Sequence, residues 1–168
     1  PHIRSLQVEN LQDCVILDSA TRRNLELVEN LNGDDRFTLA WVLDKTKTAM
    51  GSRLFRRWLN RPLRHRDTLI ARQNAIKALL HEYGFEILQG HLKQIGDIER
   101  ILARIALRSA RPRDLSRLRD ALQLLPALQN DLRIFESSLL QDLSRSTSEY
   151  PALSDLLSKA LIECPPVL

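Results

Sequence analysis

Apolar residues recur at helical spacing along most of this chain, and short polar or Pro/Gly breaks separate the runs. Thr38 stands where an N-cap would. The pattern beyond it is helical, carries Leu54, Phe55, Trp58 and Leu59 on one stripe and stops before Pro62. Asp67 is placed to cap a helix running to about Leu80. Phe85, Leu88, Leu92 and Ile95 follow at steps of three and four, Gly96 closes that helix, and Asp97 caps the next. Within the Asp97 helix, Ile98, Ile101, Leu102 and Ile105 form a core-facing stripe. Arg100, Arg104 and Arg108 form a second stripe roughly 110° away, flanking the buried face. Pro112 suits the first turn of the following helix, which carries Leu115, Leu118, Leu122 and Leu125 and is expected to break or kink at Pro126. A last helix, from about residue 151 to 163, presents Leu153, Leu156, Leu157, Ala160 and Leu161. Towards the N-terminus, residues 15–17 and 25–28 are β-compatible stretches around a polar segment, and Asn32-Gly33-Asp34-Asp35 signals a turn. The pattern therefore predicts an all-α scaffold with a small N-terminal β element.

Composition narrows the class further. The 168 residues, 43% of them apolar, suffice for one domain with one core. No apolar run approaches the roughly 18 residues that span a bilayer, and the N-terminus has no basic head, apolar stretch and small-residue cleavage site, so a soluble intracellular protein without membrane contact is expected. Cys14 and Cys164 lack C-x-x-C spacing, which argues for free, partly buried thiols rather than a disulfide framework or a zinc site. A start at Pro1 and a stop after Pro165 and Pro166 read as an excised piece of a larger protein. The net charge of +4 is segregated: −2 over residues 1–49, +10 over 50–119 and −4 over 120–168. Such a basic middle attracts phosphates or anionic partners, or forms a solvated face paired with the acidic ends.

Candidate chemistry is sparse. His2, His65, His81 and His91 show no metal-ligand spacing, no glycine precedes a lysine as a phosphate-cradling loop requires, and no carboxylate pair stands out as acid and base. No catalytic, cofactor-binding or metal residue is assigned. Arg53, Arg56, Arg57, Arg61, Arg64 and Arg66, interleaved with Phe55 and Trp58, could track a nucleic-acid backbone. Both rings share the apolar stripe with Leu54 and Leu59, so core packing is the preferred reading for them, and solvated or interdomain salt bridges are preferred for the arginines, a preference that rests on the family resemblance below. Arg22 and Arg23 follow the same logic. Asp18 and Asp44 fit capping or turn roles, and Gly51 at a helix start suggests either a close backbone approach or an ordinary helix-start glycine.

One run adds more than any other. In IGDIERILARIALRSARPRDLSRLRDAL, residues 95–122, seven arginines (Arg100, Arg104, Arg108, Arg111, Arg113, Arg117 and Arg119) sit among Ile and Leu stripes around Pro112. This run resembles the core domain, domain III, of the MutS DNA mismatch-repair family. LDSATRRNLEL at 17–27, LAWVLDKTKTAMGSRLFRRWLNRPL at 39–63 and the closing IECPPVL resemble the same family in the same order. The resemblance implies that residues 1–168 are the part of the core that precedes the clamp insertion. It further implies a parent that is a DNA-dependent ATPase using ATP with Mg, acting as a homodimer in the bacterial cytoplasm and binding mismatched double-stranded DNA. Its partners would be the connector, clamp and ATPase domains and downstream repair proteins such as MutL. The piece itself would be a lever without cofactor or catalysis, and without mismatch reading, since the family's Phe-x-Glu element is absent from it. An autonomous basic helical nucleic-acid-binding module, a fragment of another enzyme, and a MutS homologue acting outside mismatch repair remain as alternatives.

Overall fold

A computed structural model of the chain describes residues 13–163. These fall into two compact units, one running to Leu69 and the other starting at Ile70.

The first unit is built from α1 (Ser19–Asn24), α2 (Leu39–Leu43) and α3 (Ala49–Asn60). Each starts at a side-chain oxygen that accepts from an otherwise unpaired backbone N–H: Asp18 from Thr21, Thr38 from Trp41 and Thr48 from Gly51. Thr38 is almost fully buried and also donates to the Asp35 carbonyl at 2.8 Å. The expected β element is absent among the described residues. Pairing is limited to one antiparallel bridge, Cys14 with Leu63, where Val15 N–H donates to Pro62 O and Arg64 N–H to Asp13 O. Pro62 has no N–H with which to extend that ladder. Nor does the stretch at 25–28 extend, because Glu26 takes a left-handed φ of 44° and the backbone turns back on α1. The helical pattern beyond Thr38 is also interrupted, by a turn in which Asp44 accepts from Thr46 and Ser52. Leu54 and Trp58 are 44% and 42% exposed and Phe55 is half-buried, so the α3 stripe is not the core stripe expected of it.

The second unit is organised around α7 (Pro112–Arg133), which packs against α5 (Phe85–Leu92), α6 (Ile98–Ala106), α8 (Ser138–Ser146) and α9 (Pro151–Ala160). Two apolar clusters form along it. Leu118 and Leu122 meet Ile101 of α6 and Leu157 of α9, with Leu115 and Leu125 packed at the edge. Leu132 meets Ala75 of α4 (Arg66–Leu80), Leu88 of α5 and Leu140 of α8. Full burial of each leucine contributes about 1.5–3 kcal/mol. These clusters lie on either side of Pro126, and the helix continues through it. A proline removes one helical N–H and costs roughly 3 kcal/mol in a helix interior. Leucines buried on both sides offset that cost, so of the expected break or kink at Pro126 the break does not occur.

Other boundaries shift for local reasons. Asp67 lies inside the first turn of α4 rather than capping it, and His65 Nδ1 stands 3.4 Å from the Thr68 N–H. A Cβ on Gly84, between the short 3-10 turn at His81–Tyr83 and α5, would stand 2.5 Å from the Phe135 ring, so glycine alone permits this approach. On α6 the buried edge is Ile98 and Ile101, whereas Leu102 and Ile105 are 52% and 37% exposed. On α9 only Leu157 is buried, and the helix ends at Ala160. α8 brings a polar contact to α7: buried Ser144 donates to Gln129 O at 2.9 Å, and the Gln129 amide donates to Ser144 O and Thr147 O.

The end of α6 removes Arg108 from the arginine stripe. Arg108 N–H donates to Ile105 O and Ser109 N–H to Arg104 O, the paired bonds of a Schellman C-cap, with Arg108 at φ 55° where glycine is usual. That conformation costs a side-chain-bearing residue about 1–2 kcal/mol. Arg108→Gly is therefore expected to raise stability by about 0.5–1 kcal/mol after the entropic cost of glycine in the unfolded chain, read as a higher urea midpoint at unchanged slope.

Candidate functional site

The arginine-rich corner between α6 and α7 is held by Asp114, the third residue of α7. Its carboxylate accepts from the Arg111 backbone N–H at 3.1 Å and from Arg104 Nη1 at 2.6 Å, with 9% of the side chain exposed. The Arg111 backbone bond first, and the Arg104 bond and charge after the opposing effect of burial, hold its pKa below the ordinary aspartate value. The helix N-terminus favours the same negative charge. Sequence reading passed over this residue, although an acid at the third position after a Pro-initiated start is the signal that marks it.

Other arginines of the run are engaged as well. Arg100 pairs with Asp97 at 3.4 Å. Arg119 pairs with Asp120 at 2.9 Å and reaches the carbonyls of Ile162 and Glu163. Of the expected stripe, Arg100 and Arg104 stay on α6, and both act as tethers for neighbouring carboxylates.

On α3, Arg56 pairs with Asp35 at 3.6 Å and Arg57 is exposed, as are Arg61 at the helix C-cap, Arg64 in the connection that follows and Arg66 at the start of α4. Asp44, below this helix, has its pKa pushed up by burial but held lower on balance by hydrogen bonds from Ser52 and Thr46 and by the Arg56 charge. Its role is to brace the turn, as expected. At Gly51 a Cβ would stand 3.0 Å from Thr48 Oγ1, whose oxygen accepts the Gly51 N–H, so the close-approach reading holds there. At the start of α2, Phe37 and Trp41 lie with centroids 5.2 Å apart and ring planes tilted by 50° while 76% and 51% exposed, leaving an uncovered aromatic patch.

A concave site lies in the first unit. A cleft of about 540 Å³ is bounded by α1, by the loop through Gly33 and by Asn60 of α3. Arg22 and Arg23 of α1 are among its lining residues. Arg22 is fixed by Nε and Nη2, which both donate to Leu17 O at 2.9 and 2.8 Å. The loop is tied by Asn30, whose side-chain oxygen accepts from the Asn32 and Asp34 N–H groups, and Gly33 takes φ 82°.

In the second unit His91 Nε2 and Asp131 Oδ2 lie 2.7 Å apart and join α5 to α7, while buried His91 Nδ1 has no partner among the described residues. Among the described residues no three or more His, Cys, Asp or Glu side chains gather as a metal would require. No described helix is long and apolar enough to cross a membrane. Cys14 is a free, half-buried thiol, and Cys164 lies outside the described residues.

Residues 20–168 match the family model of MutS domain III. The chain belongs to the MutS domain III family. The match takes in both α1 and α3, which carry the N-terminal resemblance, and the α6–α7 corner, which carries the strongest. A MutS domain III chain is part of a mismatch-repair protein, and its mainly helical architecture is the one found here. The Asp114 corner and the α7 clusters are thus features of how this MutS domain III segment is built.

Proposed function

We propose that this chain is the core segment of a MutS-type mismatch-recognition ATPase that precedes the clamp insertion and works mechanically. In this reading it joins the DNA-contacting domains to the ATPase domain of a homodimeric parent. The family match over residues 20–168 carries the reading. Two features support it. α7 is a single 22-residue helix gripped at both ends by separate apolar clusters, as a member transmitting displacement needs to be. The uncovered Phe37 and Trp41 patch offers a surface for a neighbouring domain. ATP and Mg, mismatched DNA and MutL-type partners belong on this reading to the parent, and the segment contributes no catalytic group.

The isolated 168-residue chain is expected neither to hydrolyse ATP nor to separate a G·T-mismatched from a matched duplex. Anisotropy titrations at two salt concentrations should give equal, weak and strongly salt-dependent binding, with dissociation constants of about 10⁻⁴ to 10⁻⁶ M at physiological salt. A tenfold preference for the mismatch, about 1.4 kcal/mol, would overturn the scaffold role. The basic block at 50–119 favours a second reading, an autonomous nucleic-acid-binding module. Nanomolar duplex affinity at physiological salt would select it.

Stiffness is testable in the full-length parent. Coupling between sites is typically about 1–3 kcal/mol, or 5–150-fold in affinity. Gln123→Gly with Ala127→Gly softens α7 beside Pro126, and is expected to reduce the effect of ATP on mismatch affinity while nucleotide binding itself is retained. Unchanged coupling in the folded variant would remove α7 from the mechanism.

A further inference from the structure

The first-unit cleft has features that a scaffold does not require. Arg22 and Arg23 both line it, beside a single carboxylate, Glu29. Arg22 is held in place by its two bonds to Leu17 O, so part of its rigid fork is presented without the entropy of ordering a loose side chain. Arg23 makes no side-chain bond or ion pair among the described residues, although its neighbours in this unit, such as Arg56, do. The apolar wall is Val28 and Leu31, the latter 58% exposed. At about 540 Å³ the cleft is in the size range of small-molecule sites, which is about 300–1,000 Å³.

We propose that this cleft binds a small phosphate-bearing ligand. Arg22 and Arg23 hold the oxyanion, since planar guanidinium forks match phosphate oxygens in pairs. Val28 and Leu31 cover an apolar portion, and Glu29 accepts from a ligand hydroxyl or amine next to the phosphate. The proposal concerns the isolated chain and is independent of the lever role, so either can fail alone.

Inorganic pyrophosphate is the probe, titrated into the 168-residue chain at constant ionic strength and followed by two-dimensional amide NMR. Saturable shifts confined to residues 19–33 and Asn60 are expected. Arg23→Gln should weaken the titration at least tenfold, because that side chain braces no other described residue, and Arg23→Lys should weaken it less. Arg133→Gln, an exposed arginine at the end of α7, should leave it unchanged. Non-saturable shifts, or equal sensitivity to Arg23→Gln and Arg133→Gln, would overturn the site. A short duplex that displaces pyrophosphate with the same dependence on Arg23 would overturn the small-ligand assignment in favour of a nucleic-acid contact. The amide spectra report folding of each variant directly, and Arg22 is left intact because its loss would free the Leu17 carbonyl.

Discussion

Ile101→Ala and Leu118→Ala are each expected to lower the unfolding free energy by about 2–5 kcal/mol, because the cavity left by the missing carbons adds to the lost transfer energy. The two residues are 3% and 5% exposed and touch the same cluster as Leu122 and Leu157. Leu102→Ala is the informative contrast. Leu102 belongs to the same sequence stripe but is 52% exposed, so its loss should cost less than about 1 kcal/mol. Urea midpoints measured for the three variants at constant slope test this, and equal shifts would invalidate the assignment of α6 faces. Because Leu118 and Ile101 are in contact through one cluster, the double variant should fall short of the sum of the two single losses.

Asp114→Ala is the other large expected loss, about 2–3 kcal/mol. It removes a charge-assisted bond to Arg104, a cap to the Arg111 N–H and a favourable charge at a helix start, each contributing about 0.5–2 kcal/mol. Arg104→Ala should cost less, about 0.5–1.5 kcal/mol, since its side chain is 50% exposed and Asp114 keeps the backbone bond. That is still more than an exposed arginine with no partner would cost. The pH dependence has a definite sign. The folded carboxyl has its pKa below the ordinary value of 3.8, so its contribution is fully present above that value and is lost as pH falls through the folded pKa. Asp114→Asn should therefore flatten the acid limb of the stability curve below about pH 4. An acid limb identical to that of the wild type would show that the Asp114 charge does not stabilise the corner.

Much of the helical order was readable because it depends on local chemistry. Thr38 and Asp97 cap where expected, Pro112 opens α7, Asn32-Gly33 turns, and Leu115 to Leu125 pack as one stripe. The misses share a different cause. Residues 15–17 and 25–28 have β-compatible side chains, but a strand needs a partner, and the backbone opposite Cys14 runs at once into Pro62. α8 escaped reading because its serines mask the pattern, and the hydroxyl of buried Ser144 donates to Gln129, fifteen residues away. The Arg22 and Arg23 cleft was equally invisible, since it depends on a loop folding back over α1.

The sequence by itself determined the helical class, the family and the start of most helices, because caps, prolines and apolar periodicity act within a few residues of backbone. Only the tertiary structure decided which half of each apolar stripe is buried, that α7 runs on through Pro126, and that Arg104 serves a buried carboxylate ten residues away. A stripe states which face is apolar and leaves open how much of it a neighbour covers. A proline states a local cost and leaves open whether leucines on both sides outweigh it. Those outcomes are sums over contacts between residues distant in sequence, and they exist only once the helices have packed.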